Sequence, residues 1–401
     1  MSTIRLQEPA WRPYRGPVFF AAGFRPFFLF AAVEAAAMLP LWLAAYAGAV
    51  DLGVSYPPSV WHGHEMVFGF AAAALGGFLL TAVPNWTNCR PVRGVPLMVL
   101  SALWLAGRAA FVLGSMLPPL AVAAADLAYV PVLAVLVAGP LIAAGKWRNI
   151  AFVPILGLFW LCDLAVHLGM AGIGDPMRGV YGGIAVLLLM ITIVGGRIVP
   201  SFTRTWLAMR GRPVEPRPLP WVEKGAVLGV AAGGALAALA PGSAAAGWVL
   251  IAAAAIHGFR LSRWHGLGTV GEPLLWVLHV GYAWLVAGLF LLGLSSFVPA
   301  LPASAAVHAL TAGCVGTMIM AVMSRAALGH SGRPLRPARP VVAAYGLLSA
   351  GAALRVAAPL AGGAQTGLTH AGGALWALAW LLFVMVYLPI VTAPRADGQP
   401  G

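Results

Sequence analysis

The chain has 401 residues, 61% hydrophobic and only 9% charged, with a mean hydropathy of +0.89. Soluble domains carry about a quarter charged residues, so this composition excludes an ordinary water-soluble fold and indicates an all-α, polytopic integral membrane protein. The net charge of +13 does not indicate nucleic acid, because the basic residues sit in short loops between apolar runs and form no interleaved aromatic face.

The first residues, MSTIRLQEPAWRPYRG, lack the short apolar core of a cleavable signal peptide, so the first helix is expected to be its own insertion signal. A spanning helix needs about 20 apolar residues. By that rule twelve are predicted, at roughly 23–48, 61–83, 95–115, 119–142, 150–172, 179–200, 221–241, 245–260, 272–294, 303–325, 341–361 and 368–392. The breaks between them carry Pro, Gly and Arg, as in NCRPVRG, MRGRPVEPRP and HSGRPLRPARP. No internal repeat or soluble domain is visible, and residues 1–401 read as a single transmembrane helical domain. Cys89, Cys162 and Cys314 are too scattered for a disulfide framework, and no Cys-x-x-Cys-His is present to attach a c-type haem. No glycine-rich run continues into Lys-Ser or Lys-Thr, so nucleotide binding has no support. GGFLL and AGCVG are expected instead to let helices pack closely.

Orientation follows from the loops. All lysines and arginines except Arg108, Arg178 and Arg355 fall in alternate loops, the two tails or their adjoining helix ends, which places both termini in the cytoplasm. Each polar residue then acquires a depth. His62, His64, His167, His308 and His370 fall toward the outer face, on four helices, and form a candidate metal or haem site, since neutral imidazole is the commonest protein ligand for copper, iron and zinc. His62 and His64 lie about 200° apart on a regular helix, so they serve one ion only if Gly63 breaks the turn.

Buried carboxylates are the second unusual feature. Asp163 and His167, four apart, can meet on one helix face, either orienting a metal ligand or as a plain hydrogen bond. Glu34, Glu65, Asp126 and Asp163, with Arg108 and Arg355, either neutralise one another or supply a proton route and partners for haem propionates. Asp126 with Arg108 reads most readily as a structural pair. Toward the inner face, His257 and His279 on consecutive antiparallel helices are positioned to clamp a haem iron, or to make a helix–helix hydrogen bond or a quinone contact.

Several stretches together resemble the NnrS family of bacterial membrane proteins: GFRPFFLFAA from Gly23, WHGHEMVFGF from Trp61, GFLLTAVPNWT from Gly77, GGRIVPSFT from Gly195, LLWVLHVGYAWL from Leu274 and HALTAGCVGTMIMAVMSRAALGHSGRP from His308. The resemblance implies a twelve-helix protein of the bacterial inner membrane that contains haem and copper, accompanies denitrification and the nitric oxide response, and protects cells from nitric oxide. Carried over by motif, the positions at stake are His62, His64, Glu65, Arg197, His279, His308, Arg325 and His330; His257, His167 and His370 lie outside the matched stretches. No adjacent His-His pair or Cys-x-x-Cys copper domain is present, so equivalence to haem-copper oxidases is not implied.

The resulting expectation is an oxidoreductase of nitric oxide. An outer centre, haem iron with copper or a second iron held by some of His62, His64, His308, His167 and His370, would bind nitric oxide, and Glu65 would deliver protons. A haem b between His257 and His279 would relay electrons from quinol, and Arg108 and Arg355, in the outer half, are candidate partners of haem propionates. Two alternatives stand beside it: a haem-copper protein that binds or senses nitric oxide without turnover, and a transporter of metal or anion.

Overall fold

The computed structural model describes residues 14–51, 56–214 and 218–399, so most of the N-terminal stretch read for a signal peptide lies outside the described residues. Within them the chain is helical, without strands, and twelve helices are long and apolar enough to cross a membrane. They are α1 (Phe24–Tyr46), α2 (Pro58–Thr87), α3 (Val95–Val112), α4 (Pro119–Ala143), α5 (Trp147–Met170), α6 (Pro176–Met209), α7 (Pro220–Leu239), α8 (Ala244–Ser262), α9 (Pro273–Ser295), α10 (Ala303–His330), α11 (Arg339–Leu360) and α12 (Gly362–Thr392).

The expected number of spans appears, with longer helices at several ends. Hydropathy stops where polar residues begin, whereas backbone hydrogen bonding carries α6 on through Thr203 and Arg204 to Met209. Proline at the first turn starts α2, α4, α7 and α9, where its missing N–H costs nothing. Asn88, at φ 57°, closes α2 in the left-handed conformation that ends helices. Leu120, Val135, Trp248 and Met385 are exposed, an apolar surface suited to lipid.

The described chain divides into two compact units. Unit 1 holds the chain to Val180, Met323–Arg336 and the chain from Phe383; unit 2 holds Tyr181–Val322 and Pro337–Leu382. In unit 1, α2 lies between α1 and α4. A Cβ on Gly77 would come 2.6 Å from the Phe28 ring, and one on Gly76 only 1.9 Å from Tyr129 Oη, so these two positions admit no side chain. In unit 2, α8 packs between α7 and α9, and Gly293 meets the Gly247 carbonyl at a distance that only glycine allows.

α2 and α10 share an interruption. Each opens with a short α-helical stretch ending in histidine, His64 or His308, and then widens into a seven-residue π-helix, Glu65–Ala71 or Ala309–Val315. Each π-segment has glycine at its fifth position, Gly69 or Gly313. Downstream follow Arg90-Pro91-Val92-Arg93 in one case and Arg333-Pro334-Leu335-Arg336 in the other, and then a helix bearing Arg108 or Arg355. The chain thus carries a local correspondence that a scan for extended repeats misses. π-bulges concentrate at functional sites because the extra residue per turn re-aims side chains.

Candidate metal centre

His64, directly before the π-segment of α2, points into the interior of unit 1, where its side chain is fully buried among carboxylates. His64 Nδ1 lies 3.1 Å from Glu65 Oε1, and Nε2 lies 3.0 Å from both Asp126 Oδ2 and Asp163 Oδ1. His167, one turn beyond Asp163 on α5, places Nε2 3.0 Å from Asp126 Oδ2 and 4.0 Å from Asp163 Oδ1. The i, i+4 pair of the sequence is therefore the looser contact, and α4 supplies the nearer carboxylate. Arg108 on α3 donates from Nη1 to Glu65 Oε2 at 2.9 Å and from Nη2 to Asp126 Oδ1, the structural pair expected from adjacent helices.

Gly69 lets this group close. A Cβ there would lie 2.6 Å from Arg108 Nη1, 3.1 Å from Glu34 Oε1 and 3.4 Å from Glu65 Oε2. Its carbonyl accepts a bond from Trp104 Nε1 at 3.1 Å, which fixes the π-segment against α3. Glu34 Oε1 is buried without a hydrogen-bond partner among the described residues.

Tyr56 covers the group from the segment before α2, 2.6 Å from His167 Nδ1. Burial first, then the charges of Asp126 and Asp163, push its hydroxyl well above the usual tyrosine range, so its oxygen stays protonated at neutral pH and takes the Nδ1–H of His167, which leaves Nε2 free as a ligand atom. Tyr56→Phe is expected to cost about 0.5–1.5 kcal/mol, the net worth of one hydrogen bond. Thermal unfolding of the purified variant checks this, with the helical content unchanged.

The donor set fits a metal ion. His64, Asp126, Asp163 and His167 each offer one ligand atom, and the four atoms lie within 4.8 Å of one another. Ligand atoms around a tetrahedral ion with bonds of about 2.0–2.1 Å stand about 3.4 Å apart. The observed contacts of 3.0 and 4.0 Å bracket that separation. Among the described residues Glu34, Glu65, Asp126 and Asp163 gather around one guanidinium, Arg108, and the two imidazoles, so the cluster depends on its histidines or on a bound cation for charge balance. Uncompensated buried charge is strongly unfavourable, and a divalent cation offsets most of the excess. Two imidazoles with carboxylate oxygens suit iron, copper and zinc.

The remaining sequence-derived candidates lie elsewhere. His62 points away from His64, as their spacing requires, and its ring stacks on Trp42 at 4.3 Å. His308 and His370 belong to unit 2, where each places Nδ1 on the carbonyl four residues earlier, Ser304 at 2.7 Å and Thr366 at 2.8 Å. Arg355 on α11 lies in electrostatic range of His308.

Of the two histidines expected to clamp a haem, His257 has both ring nitrogens engaged within the protein, whereas His279 Nδ1 is buried without a hydrogen-bond partner among the described residues. His257 accepts at Nδ1 from the Tyr282 hydroxyl, 2.7 Å away, and directs Nε2 to the Ala226 carbonyl at 3.2 Å, so both nitrogens are engaged. Tyr282 packs on His257, and Trp264 packs on both Tyr282 and His279. His279 Nε2 meets the Thr203 hydroxyl at 3.0 Å, and Gly266 crosses the other edge of the ring. Arg260 joins this network through Tyr282 Oη, the Thr192 carbonyl and Glu223. Likewise Arg108, expected near a propionate, gives both terminal nitrogens to Glu65 and Asp126.

Tyr56 and the two aspartates as a paired ligand set are what sequence reasoning missed. Asp126 and Asp163 were visible as carboxylates in apolar helices, but their convergence on His64, beside the π-turn, leaves no mark in composition. Tyr56 stands in a polar stretch with no distinguishing signal.

A helical membrane protein built around a sealed histidine–carboxylate centre of metal-ligand composition is the class that fold and site define. Residues 18–395 match the model described as NnrS protein, and the chain belongs to the NnrS family. That family is associated with haem and metal binding and with the nitric oxide response, in line with the resemblance seen in the motifs. No curated protein matches the sequence.

Proposed function

We propose that the protein consumes nitric oxide at a redox metal held by His64, Asp126, Asp163 and His167, reducing it to nitrous oxide. The observation that supports this most is the convergence of those four ligand atoms, from three helices, in a sealed site of a nitric oxide response family. A bound iron or copper ion would supply coordination of nitric oxide and electron transfer. Everything else falls to the chain. Glu65 on His64 Nδ1 fixes the orientation of that ring and would leave its Nε2, facing Asp126 and Asp163, to the metal, as carboxylates behind metal-bound histidines do. Tyr56 sets the tautomer of His167.

Joining two nitric oxide molecules into nitrous oxide and water takes up two electrons and two protons. Glu65, bonded to His64 and ion-paired with Arg108, would pass protons to the site, and Glu34 beside it is the carboxyl that would supply them. Nitric oxide, small and apolar, would reach the buried centre by diffusing from lipid through the helices, and a membrane quinol is the proposed electron donor. The bias of basic loops supports a bacterial inner-membrane location with both termini in the cytoplasm.

Both ring nitrogens of His257 are engaged within the protein, which argues against a haem clamped between His257 and His279 and favours a second reading, binding of nitric oxide without turnover. Nitric oxide consumption by purified, metal-loaded protein with a soluble quinol separates the two. Catalytic disappearance of nitric oxide with formation of nitrous oxide is the expected result. Uptake that stops at one nitric oxide per metal would leave only the binding role.

A further inference from the structure

At the end of unit 1 where α1 begins and α10 and α12 finish, Arg25 has no exposed surface. Its Nη1 donates to the carbonyls of Val391 at 2.8 Å and Ala393 at 2.7 Å, which tie it to the end of α12. Nε and Nη2 have no partner among the described residues. Those two N–H groups form one edge of the guanidinium, the fork that meets two oxygens of a phosphate or carboxylate side by side.

The surroundings add positive charge. Among the residues acting electrostatically on Arg25 are Arg333 and Arg395. Arg395 is committed within the protein, to Asp397 from Nε and Nη2 and to the His330 carbonyl from Nη1. Asp397 is the carboxylate on this group, and its exposed side chain is held well below the usual range, to about 2, chiefly by Arg395, so it stays charged but offsets only that arginine. Arg333 donates weakly, at 3.4 Å, to the Ser331 carbonyl. The segment carrying it is pinned by Ala396 N–H to the Ser331 carbonyl at 2.9 Å, so the arginines are held on ordered backbone.

A wholly buried guanidinium with an open fork, beside two further arginines, is a costly arrangement without an anion, because a desolvated charge needs a counter-charge and not only dipoles. We infer that Arg25, with Arg333, forms a binding site for a phosphate-type oxyanion, separate from the histidine–carboxylate centre. The oxyanion is either free phosphate or the phosphate of an anionic lipid headgroup; both present two adjacent oxygens to the Nε–Nη2 edge. The basic loops of the chain, assigned to membrane topology from sequence, thus include one arginine that is not a surface charge at all.

The full-length protein in phosphatidylcholine nanodiscs, titrated with inorganic phosphate at constant ionic strength, provides the test. A melting temperature that rises and saturates in wild type, with the apparent Kd weakened about tenfold or more in Arg25→Gln and in Arg333→Gln, supports a free-phosphate site, since a hydrogen bond to a charged group is worth about 1.5–3 kcal/mol. If phosphate has no effect, but nanodiscs containing phosphatidylglycerol stabilise wild type and that lipid co-purifies with wild type and not with Arg25→Gln, the source is a headgroup. Arg333 is partly exposed, so its variant keeps the test decisive if Arg25→Gln does not fold. Equal responses of wild type and both variants, or no response to either additive, would overturn the inference, leaving the fork to water or to a carboxylate of the chain.

Discussion

Asp126→Asn is expected to lower stability by about 3–5 kcal/mol, the cost of removing one partner from a buried ion pair. Asp126 Oδ1 pairs with Arg108, and Oδ2 lies 3.0 Å from a ring nitrogen of each of His64 and His167. An amide keeps the shape but removes the charge, and its NH₂ group must turn toward either a guanidinium or two imidazoles. Such a loss is a large share of the roughly 5–15 kcal/mol that holds a typical domain together. Thermal or chemical unfolding in detergent measures it. A change under about 1 kcal/mol would mean that Glu65, the other partner of Arg108, compensates the guanidinium on its own.

The second large effect concerns metal. His64→Ala removes a ligand atom that stands 3.0 Å from both aspartates, and the variant is expected to retain less than about a tenth of the wild-type metal, in line with the tenfold or greater losses seen even for outer-shell changes. His62→Ala serves as its control: two residues away and stacked on Trp42, it is expected to leave metal content unchanged. Metal analysis of both variants at matched purity decides the point. Equal depletion in the two would place the ion nearer His62, and depletion in neither would move it out of the cluster. The comparison isolates position from composition, because both are histidines on the same turn.

The fold was readable because lipid imposes it. Runs of about 20 apolar residues have one economical solution in a bilayer, and prolines at first turns and breaks such as NCRPVRG fixed where helices start and stop. Part of the centre was readable for the same reason: Glu65, Arg108 and His167 stand out because ionisable groups in apolar helices are rare. The helical angle between His62 and His64 set the condition for their sharing one ion, and His62 stacks on Trp42 while His64 meets the carboxylates. What composition could not convey was the π-turn at Glu65–Ala71, since the residues there are ordinary helix formers and the widening depends on Gly69 fitting beneath Arg108 and Glu34. That turn begins at Glu65, directly after the imidazole on which Asp126 and Asp163 converge.

Depth alone carries less information than ring-nitrogen chemistry. His257 and His279 were grouped because they fall at similar heights on neighbouring helices, but height does not show which ring nitrogens are already taken. Tyr282, three residues beyond His279 and thus on the same stretch of α9, takes one nitrogen of His257. Arg25 failed in the opposite sense. It counted as one of many basic residues near a helix start, and only the closing of α12 over it shows that it is buried.

The most direct measurement is anomalous scattering from crystals of the full chain at the iron and copper absorption edges. A single peak within bonding distance of His64, Asp126, Asp163 and His167 is the expected result. Refined coordinates in which those four side chains bond only to one another, with the anomalous signal elsewhere or nowhere, would contradict a metal centre there and reduce the cluster to a buried ion-pair network.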